Sequence, residues 1–289
     1  MKPSSLPEVS PAGPFLPRLR VVKRREPLTW GSWLVTLGAV ILSLGLSALL
    51  LKFQGKSPLQ GMILLWTGAF GSLWAVEDCL LKSVPIFLCA LGVALTFRLQ
   101  IWNLGAEGQF ALGALGAAWV ALRFPSLPSY TLLPAMGLMA SLTGGLWGLI
   151  PAILKLRLRT NEIIVTLMLN YIGILLLEYK VYGSWKDPSS FGFPMTPEFP
   201  AGGIVGLIGA TRLHWGIALC IAVGLVMAVT LRYSRAGYEL RASGESVRVA
   251  RYARLPYARM VVAVMIVGGA LAGLAGFLEA SATTHRLQP

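Results

Sequence analysis

Seven separate blocks of apolar residues, each close to the roughly 20 residues that cross about 30 Å of hydrocarbon as a helix, dominate this chain. They run over 33–51, 83–98, 105–122, 131–154, 161–182, 213–231 and 260–281, and each predicts a membrane span. The stretch 61–76 is apolar too, but it is short and interrupted by Gly68 and Gly71, so it reads as a re-entrant or interfacial piece. Of the 289 residues only 13% are charged and 55% are hydrophobic, against about 25% charged in an ordinary globular domain. So few charges cannot clothe a soluble protein of this size. The expected fold is all-α, a polytopic transmembrane helix bundle of about seven spans plus the short segment.

The net charge of +13 does not point to nucleic acid, because the basic residues sit in short segments between apolar blocks and not along one face. Positive-inside bias accounts for them. The basic N-terminal tail, the run Lys155-Leu156-Arg157-Leu158-Arg159 and the segment 232–259 are expected on the cytoplasmic side. The mixed-charge loop 183–200, with Lys186, Asp187 and Glu198, is expected outside. These assignments alternate correctly through the span list. Residues 1–30, basic and rich in proline, read as a disordered cytoplasmic tail with no signal-peptide cleavage pattern, and 31–289 as the transmembrane domain. Cys79, Cys89 and Cys220 show no C-x-x-C spacing and read as small core residues, with neither disulfide nor metal site.

Glycines and alanines recur at four-residue spacing in Gly144/Gly148, Gly269/Gly273 and Ala272/Gly276. In lipid such faces mark helices packed on helices, since association depends on close backbone approach.

Three polar constellations interrupt the apolar pattern. In Phe97–Gln109 the glycines allow a helix break, and the freed backbone groups then need side-chain partners or a watered cavity. Asn103, Glu107 and Gln109 are therefore candidate helix-terminus partners, substrate contacts or both, the plainer alternative being that Glu107 pairs with Arg98 and pins a turn. At Thr160-Asn161-Glu162, either Thr160 or Asn161 can cap the next helix and Glu162 suits its first turn, the alternative being a place in the substrate pathway. Asn170, in mid-span, needs partners and so faces another helix or a pathway. The third constellation is Arg235–Pro256, which reads as two short helices hinged at Gly244, with Glu245 opening the second and Pro256 fitting the first turn of the following span. Helical, cationic and rich in small residues, it is suited to docking on a partner; the alternative is a segment resting on anionic headgroups. Bulk at Ala242 separates the two, because only a docked helix would reject it.

Enzyme signatures are missing. There is no G-x-x-x-x-G-K-[ST] loop, no H-E-x-x-H and no G-x-S-x-G, and the two histidines, His214 and His285, read as interfacial. No catalytic residue, metal site or cofactor is predicted.

Four blocks in order, Asn103–Gln109, Thr160–Tyr171, Leu240–Glu245 and Gly269–Gly276, resemble the permeases of ABC importers of the branched-chain amino acid, ribose and nucleoside class, most closely its nucleoside and simple-sugar branch. The resemblance covers residue 83 to the end. It implies the membrane subunit of an ATP-driven importer of nucleosides or simple sugars in the cell membrane, N-terminus cytoplasmic. Its implied partners are an ATP-binding subunit that carries out hydrolysis, a second permease subunit and an extracytoplasmic substrate-binding protein. Asn103, Glu107, Gln109 and Asn170, costly to bury unpaired in lipid, are expected to line or support the substrate pathway. The resemblance implies that 237–255, within the cytoplasmic coupling loop 232–259, contains the coupling helix, with Gly237, Arg241, Ala242, Gly244 and Glu245 at the ATPase contact. Gly237 and Gly244 are expected at left-handed positions, and Arg241 to contact an acidic rim or brace Glu245. The chain departs from the class at Arg254, where glycine is expected. It also stops at Pro289, where members continue, which implies that the C-terminal spans are lacking. The alternative function, a secondary carrier, would rest on Glu107 and Glu279 alone.

Overall fold

The computed structural model describes residues 31–289, so the expected tail lies outside the described residues. Ten α-helices and no named strand occur among them: α1 Gly31–Phe53, α2 Pro58–Phe70, α3 Leu73–Phe97, α4 Ala106–Arg123, α5 Ser129–Leu158, α6 Glu162–Tyr182, α7 Gly216–Tyr233, α8 Arg235–Glu245, α9 Val247–Tyr252 and α10 Tyr257–Leu278. A π-helical turn, Glu279–Thr284, continues α10. The chain divides into two compact units, up to Trp66 and from Thr67.

The first unit holds α1 and the start of α2, joined through Gly55 at φ 73°. Trp33, Ile41 and Leu50 leave the apolar surface of α1 exposed from end to end, as suits a helix whose solvent is lipid. With 13 residues, α2 stays short of a full crossing at about 1.5 Å per residue.

In the second unit α10 is the central helix, with 67% of its apolar window buried against α3, α4 and α5. Its glycines make this possible. An added Cβ at Gly269 would overlap the Gly144 carbonyl, one at Gly273 the Ala140 carbonyl, and one at Gly276 the Phe110 carbonyl. The expected small-residue faces are therefore helix contacts, held by close backbone approach. Six helices among the described residues are long and apolar enough to span a membrane. The mostly buried α4, with 18 residues rich in glycine and alanine, is the expected span outside that set.

One boundary moves well beyond expectation. Helix α3 begins at Leu73, capped by the Ser72 hydroxyl accepting from Ala75 N–H at 3.1 Å, and not near residue 83. Its early charges mislead the reading, yet Glu77 is buried and Asp78 pairs with Arg212 at 2.8 Å. Cys79, expected in the core, is exposed; Cys220 is buried, and all three cysteines are free.

The ends of α3, α5 and α7 and the starts of α4, α6 and α10 meet at one end of the bundle, together with α8. Segment 183–215 closes the other end. There Thr196 and Phe199 N–H groups donate to the carbonyls of Leu287 and His285 at 3.0 and 2.9 Å, and Glu198 pairs with Arg286. His214, buried in this segment, accepts from Gly216 N–H at 3.1 Å through Nδ1, and its burial pushes the imidazole pKa down.

Candidate functional site

Helix α3 ends in a tight turn with Gln100 at φ 56°, and its Ile101 N–H donates back to the Thr96 carbonyl at 3.2 Å. Before α4 starts, the backbone groups freed by this break need partners. The Asn103 side chain accepts from Gly105 N–H at 3.0 Å, and Thr166 Oγ1 on α6 accepts from Leu104 N–H at 3.2 Å. Asn170 on α6 closes the gap: its Oδ1 accepts from Gly108 N–H at 2.6 Å and its Nδ2 donates to the Leu104 carbonyl at 2.8 Å. One carboxamide thus stands in for a peptide group across the broken helix. Asn103 Nδ2 also donates to Gln109 Oε1 at 3.2 Å. Asn103, Gln109 and Asn170 are all buried, so each unmade bond here would cost about 1–3 kcal/mol.

Glu107 is different. It is exposed, forms no ion pair with Arg98 among the described residues, and receives only the long 3.4 Å contact from Asn170 Nδ2. Beside it Trp102 and Leu104 are exposed as well. The break therefore buries its amides and leaves Glu107, Trp102 and Leu104 exposed. Eight residues separate Glu162, which opens α6, from Asn170, placing the break about 12 Å along that helix.

Thr160, Asn161 and Glu162 do not join this cluster. Asn161 caps α6, its Oδ1 accepting from Ile163 N–H at 2.9 Å, and Glu162 pairs with Lys155 at 2.7 Å. Thr160 Oγ1 is buried with no hydrogen-bond partner among the described residues.

At the same end, α8 runs without interruption from Arg235 to Glu245, capped by Ser234 accepting from Gly237 N–H at 3.1 Å. This corrects the expected hinge. Gly244 lies inside the helix, Glu245 is its last residue and does not open α9, and neither Gly237 nor Gly244 has a positive φ. Both glycines serve close approach instead: a Cβ at Gly237 would overlap the Leu231 carbonyl, and one at Gly244 the Arg98 carbonyl. Leu240 shares a buried cluster with Leu99 and Ile101 of the break. The inner face of α8, Gly237, Leu240 and Ser243, is buried, while Tyr238, Arg241 and Glu245 are open and Ala242 lies between. Arg241 does not brace Glu245; its Nε donates to the Gly237 carbonyl at 3.4 Å and its Nη2 to the Arg232 carbonyl at 3.5 Å.

Just past helix α9 the chain turns at Arg254, φ 54°, and Leu255 N–H donates to the Ala250 carbonyl at 2.8 Å. The left-handed turn for which glycine is expected is thus kept by an arginine, at a cost of about 1–2 kcal/mol. Pro256 follows in the cap position, one residue before the first turn of α10.

Sequence reasoning missed the contact of Gly244 with the break. The glycine itself was the signal, since a helix end and a close approach leave the same mark in a sequence.

Among known proteins, residues 75–287 match the family described as branched-chain amino acid transport system / permease component. The chain is 34% identical over 260 residues to the guanosine ABC transporter permease protein NupP of Bacillus subtilis, covering 86% of this chain and 72% of that one. It is 28% identical to the nucleoside ABC transporter permease protein NupB of Lactococcus lactis, over 84% of this chain and 69% of the relative. It is also 28% identical to the glucose ABC transporter permease protein TsgB13 of Haloferax volcanii, over 93% and 73%. No solved structure matches it.

Proposed function

Because the chain belongs to the family of branched-chain amino acid transport system permease components, as a multi-pass membrane subunit of an ABC importer, we propose that it carries nucleosides. The 34% identity with a guanosine permease carries this reading. Hydrolysis belongs to a separate ATP-binding subunit, and a substrate-binding protein delivers the solute. A second permease subunit completes the pathway.

Glu107 lines that pathway, and Asn103, Gln109 and Asn170 hold the break that presents it. An exposed carboxylate can accept from ribose hydroxyls, and the neighbouring Trp102 ring offers a face to a base. Thr160, Asn161 and Glu162 set the start of α6. Helix α8 is the coupling element, with Tyr238, Arg241, Ala242 and Glu245 toward the ATP-binding subunit.

The test is uptake by proteoliposomes holding the permease with its ATP-binding and substrate-binding partners. ATP-dependent accumulation of guanosine, competed by other nucleosides and not by glucose, is expected. Uptake of glucose alone would move the substrate to simple sugars, and uptake driven by an ion gradient without ATP would refute the importer reading.

The end of the bundle bearing α8 faces the cytoplasm, and the basic N-terminal sequence is assigned to the cytoplasm on the same charge rule. Support comes from Arg157, Arg159, Arg232, Arg235, Arg248 and Arg251 at that end. With the native cysteines replaced, a cysteine at Ser189 should react with an impermeant thiol reagent from outside and one at Ser246 should not. The reverse pattern overturns the orientation.

A further inference from the structure

At the bundle end opposite α8, a cavity of about 400 Å³ lies between the end of α4 and the loop that follows α6. Arg123, Lys186, Trp119 and Trp185 line it. Two apolar grooves along α4 share Trp119 with it. One, of about 280 Å³, runs past Leu112, Leu115, Gly116, Met139 and Thr143 between α4 and α5, with Lys180 and Trp185 at its rim. The other, of about 300 Å³, is lined by Val120, Phe124, Ala135, Leu138 and Leu142. Trp119 borders all three spaces.

The charges here are one-sided. Lys180 Nζ stands 5.9 Å from the Trp185 ring centroid, so with Arg123 and Lys186 three cations gather around two tryptophans. Among the described residues none of the three forms an ion pair. The cavity lining holds no carboxylate, and neither loop carboxylate pairs with these cations among the described residues. Asp187 accepts from the Ser189 backbone N–H and hydroxyl at 2.9 and 2.8 Å, which holds its pKa low, and Glu198 pairs with Arg286.

We propose that this is a binding site for one anionic diacyl phospholipid, its phosphate between Arg123 and Lys186 and its two acyl chains in the two grooves that share Trp119. Three features select this occupant. Tryptophans flanked by cations mark the headgroup level of a membrane protein, and unpaired cations at that level are complementary to an anionic phosphate in either leaflet. From Leu112 to Arg123 is 11 residues of α4, about 16 Å of apolar wall, which a soluble partner could not reach from above. Two apolar grooves and one cationic cavity that share Trp119 match a molecule with two tails and one head.

The test is native mass spectrometry of the permease complex, delipidated and then offered phosphatidylglycerol and phosphatidylcholine of equal chain length. One phosphatidylglycerol per permease should be retained, in preference by on the order of tenfold. Arg123→Gln with Lys186→Gln should abolish the preference without loss of insertion or of the ATP-binding subunit. Leu112→Trp, which fills one groove, should lower retention of both lipids. Equal retention of the two lipids by the wild type, or a preference that survives the double substitution, overturns the proposal. So does loss of substrate-binding protein association in the double variant with lipid retention unchanged, which would assign the cations to a protein dock.

Discussion

A permease carrying Gly244→Ala is expected to insert normally and keep its ATP-binding subunit, yet lose most of its uptake. The open face of α8, Tyr238, Arg241 and Glu245, is untouched by that substitution. The added methyl points the other way, into the backbone carbonyl of Arg98, and a carbonyl in a packed turn cannot step aside as a side chain could. Overpacking of this kind costs about 1–3 kcal/mol, on the order of tenfold in any equilibrium between states that differ in the contact. If α8 is the coupling element, its tip bears directly on the turn that leads to Asn103 and Glu107, so strain there misplaces the proposed pathway residues. Ala242→Trp supplies the contrast. It alters the flank of α8 and leaves the Arg98 contact alone, so it should release the ATP-binding subunit itself. Wild-type uptake and stimulated hydrolysis in Gly244→Ala would show that motion does not pass through this contact. Retained association in Ala242→Trp would return α8 to the headgroup-binding alternative.

Such contacts explain where sequence reading stops. The helices were legible because a membrane span is a length of apolar chain, and the interfaces of α10 because Gly144, Gly269 and Gly273 sit at a spacing that only helix packing uses. The need for partners at Asn103, Gln109 and Asn170 was legible too, since a buried amide must be paired. Who the partners are was not. Asn170 reaches Gly108 and Leu104 across 62 and 66 residues of sequence, and no local pattern encodes that meeting. Asp78 and Arg212 hide the start of α3 for the same reason: a charge that finds a distant partner looks, in the sequence, like the edge of a loop. At Gly244 the local signal pointed to a hinge, and only the presence of Arg98 on the far side of the glycine decides for close approach. At Arg254 the residue changed while the left-handed turn stayed, because Ala250 and Leu255 still close it.

Replacing Asn170 by leucine and Glu107 by glutamine separates the residues that hold the break from the one proposed to face the pathway. Asn170→Leu removes the acceptor of a buried Gly108 N–H and the donor to the Leu104 carbonyl. Each group left without a partner costs about 1–3 kcal/mol, so the variant should show a lower thermal transition and a large loss of uptake together. Glu107→Gln leaves those bonds intact and sits on the exposed side of the break. It should therefore keep the wild-type thermal transition while uptake falls, because the amide retains one acceptor oxygen but loses the charge that strengthens a hydroxyl hydrogen bond. The ATP-binding subunit should remain associated in both variants, since α8 is not altered. Thermal scans and nucleoside uptake by the reconstituted complex read the two effects independently. Uptake unchanged in both variants would remove the break from the pathway, and a lowered transition in Glu107→Gln would assign the carboxylate to the fold and not to the solute.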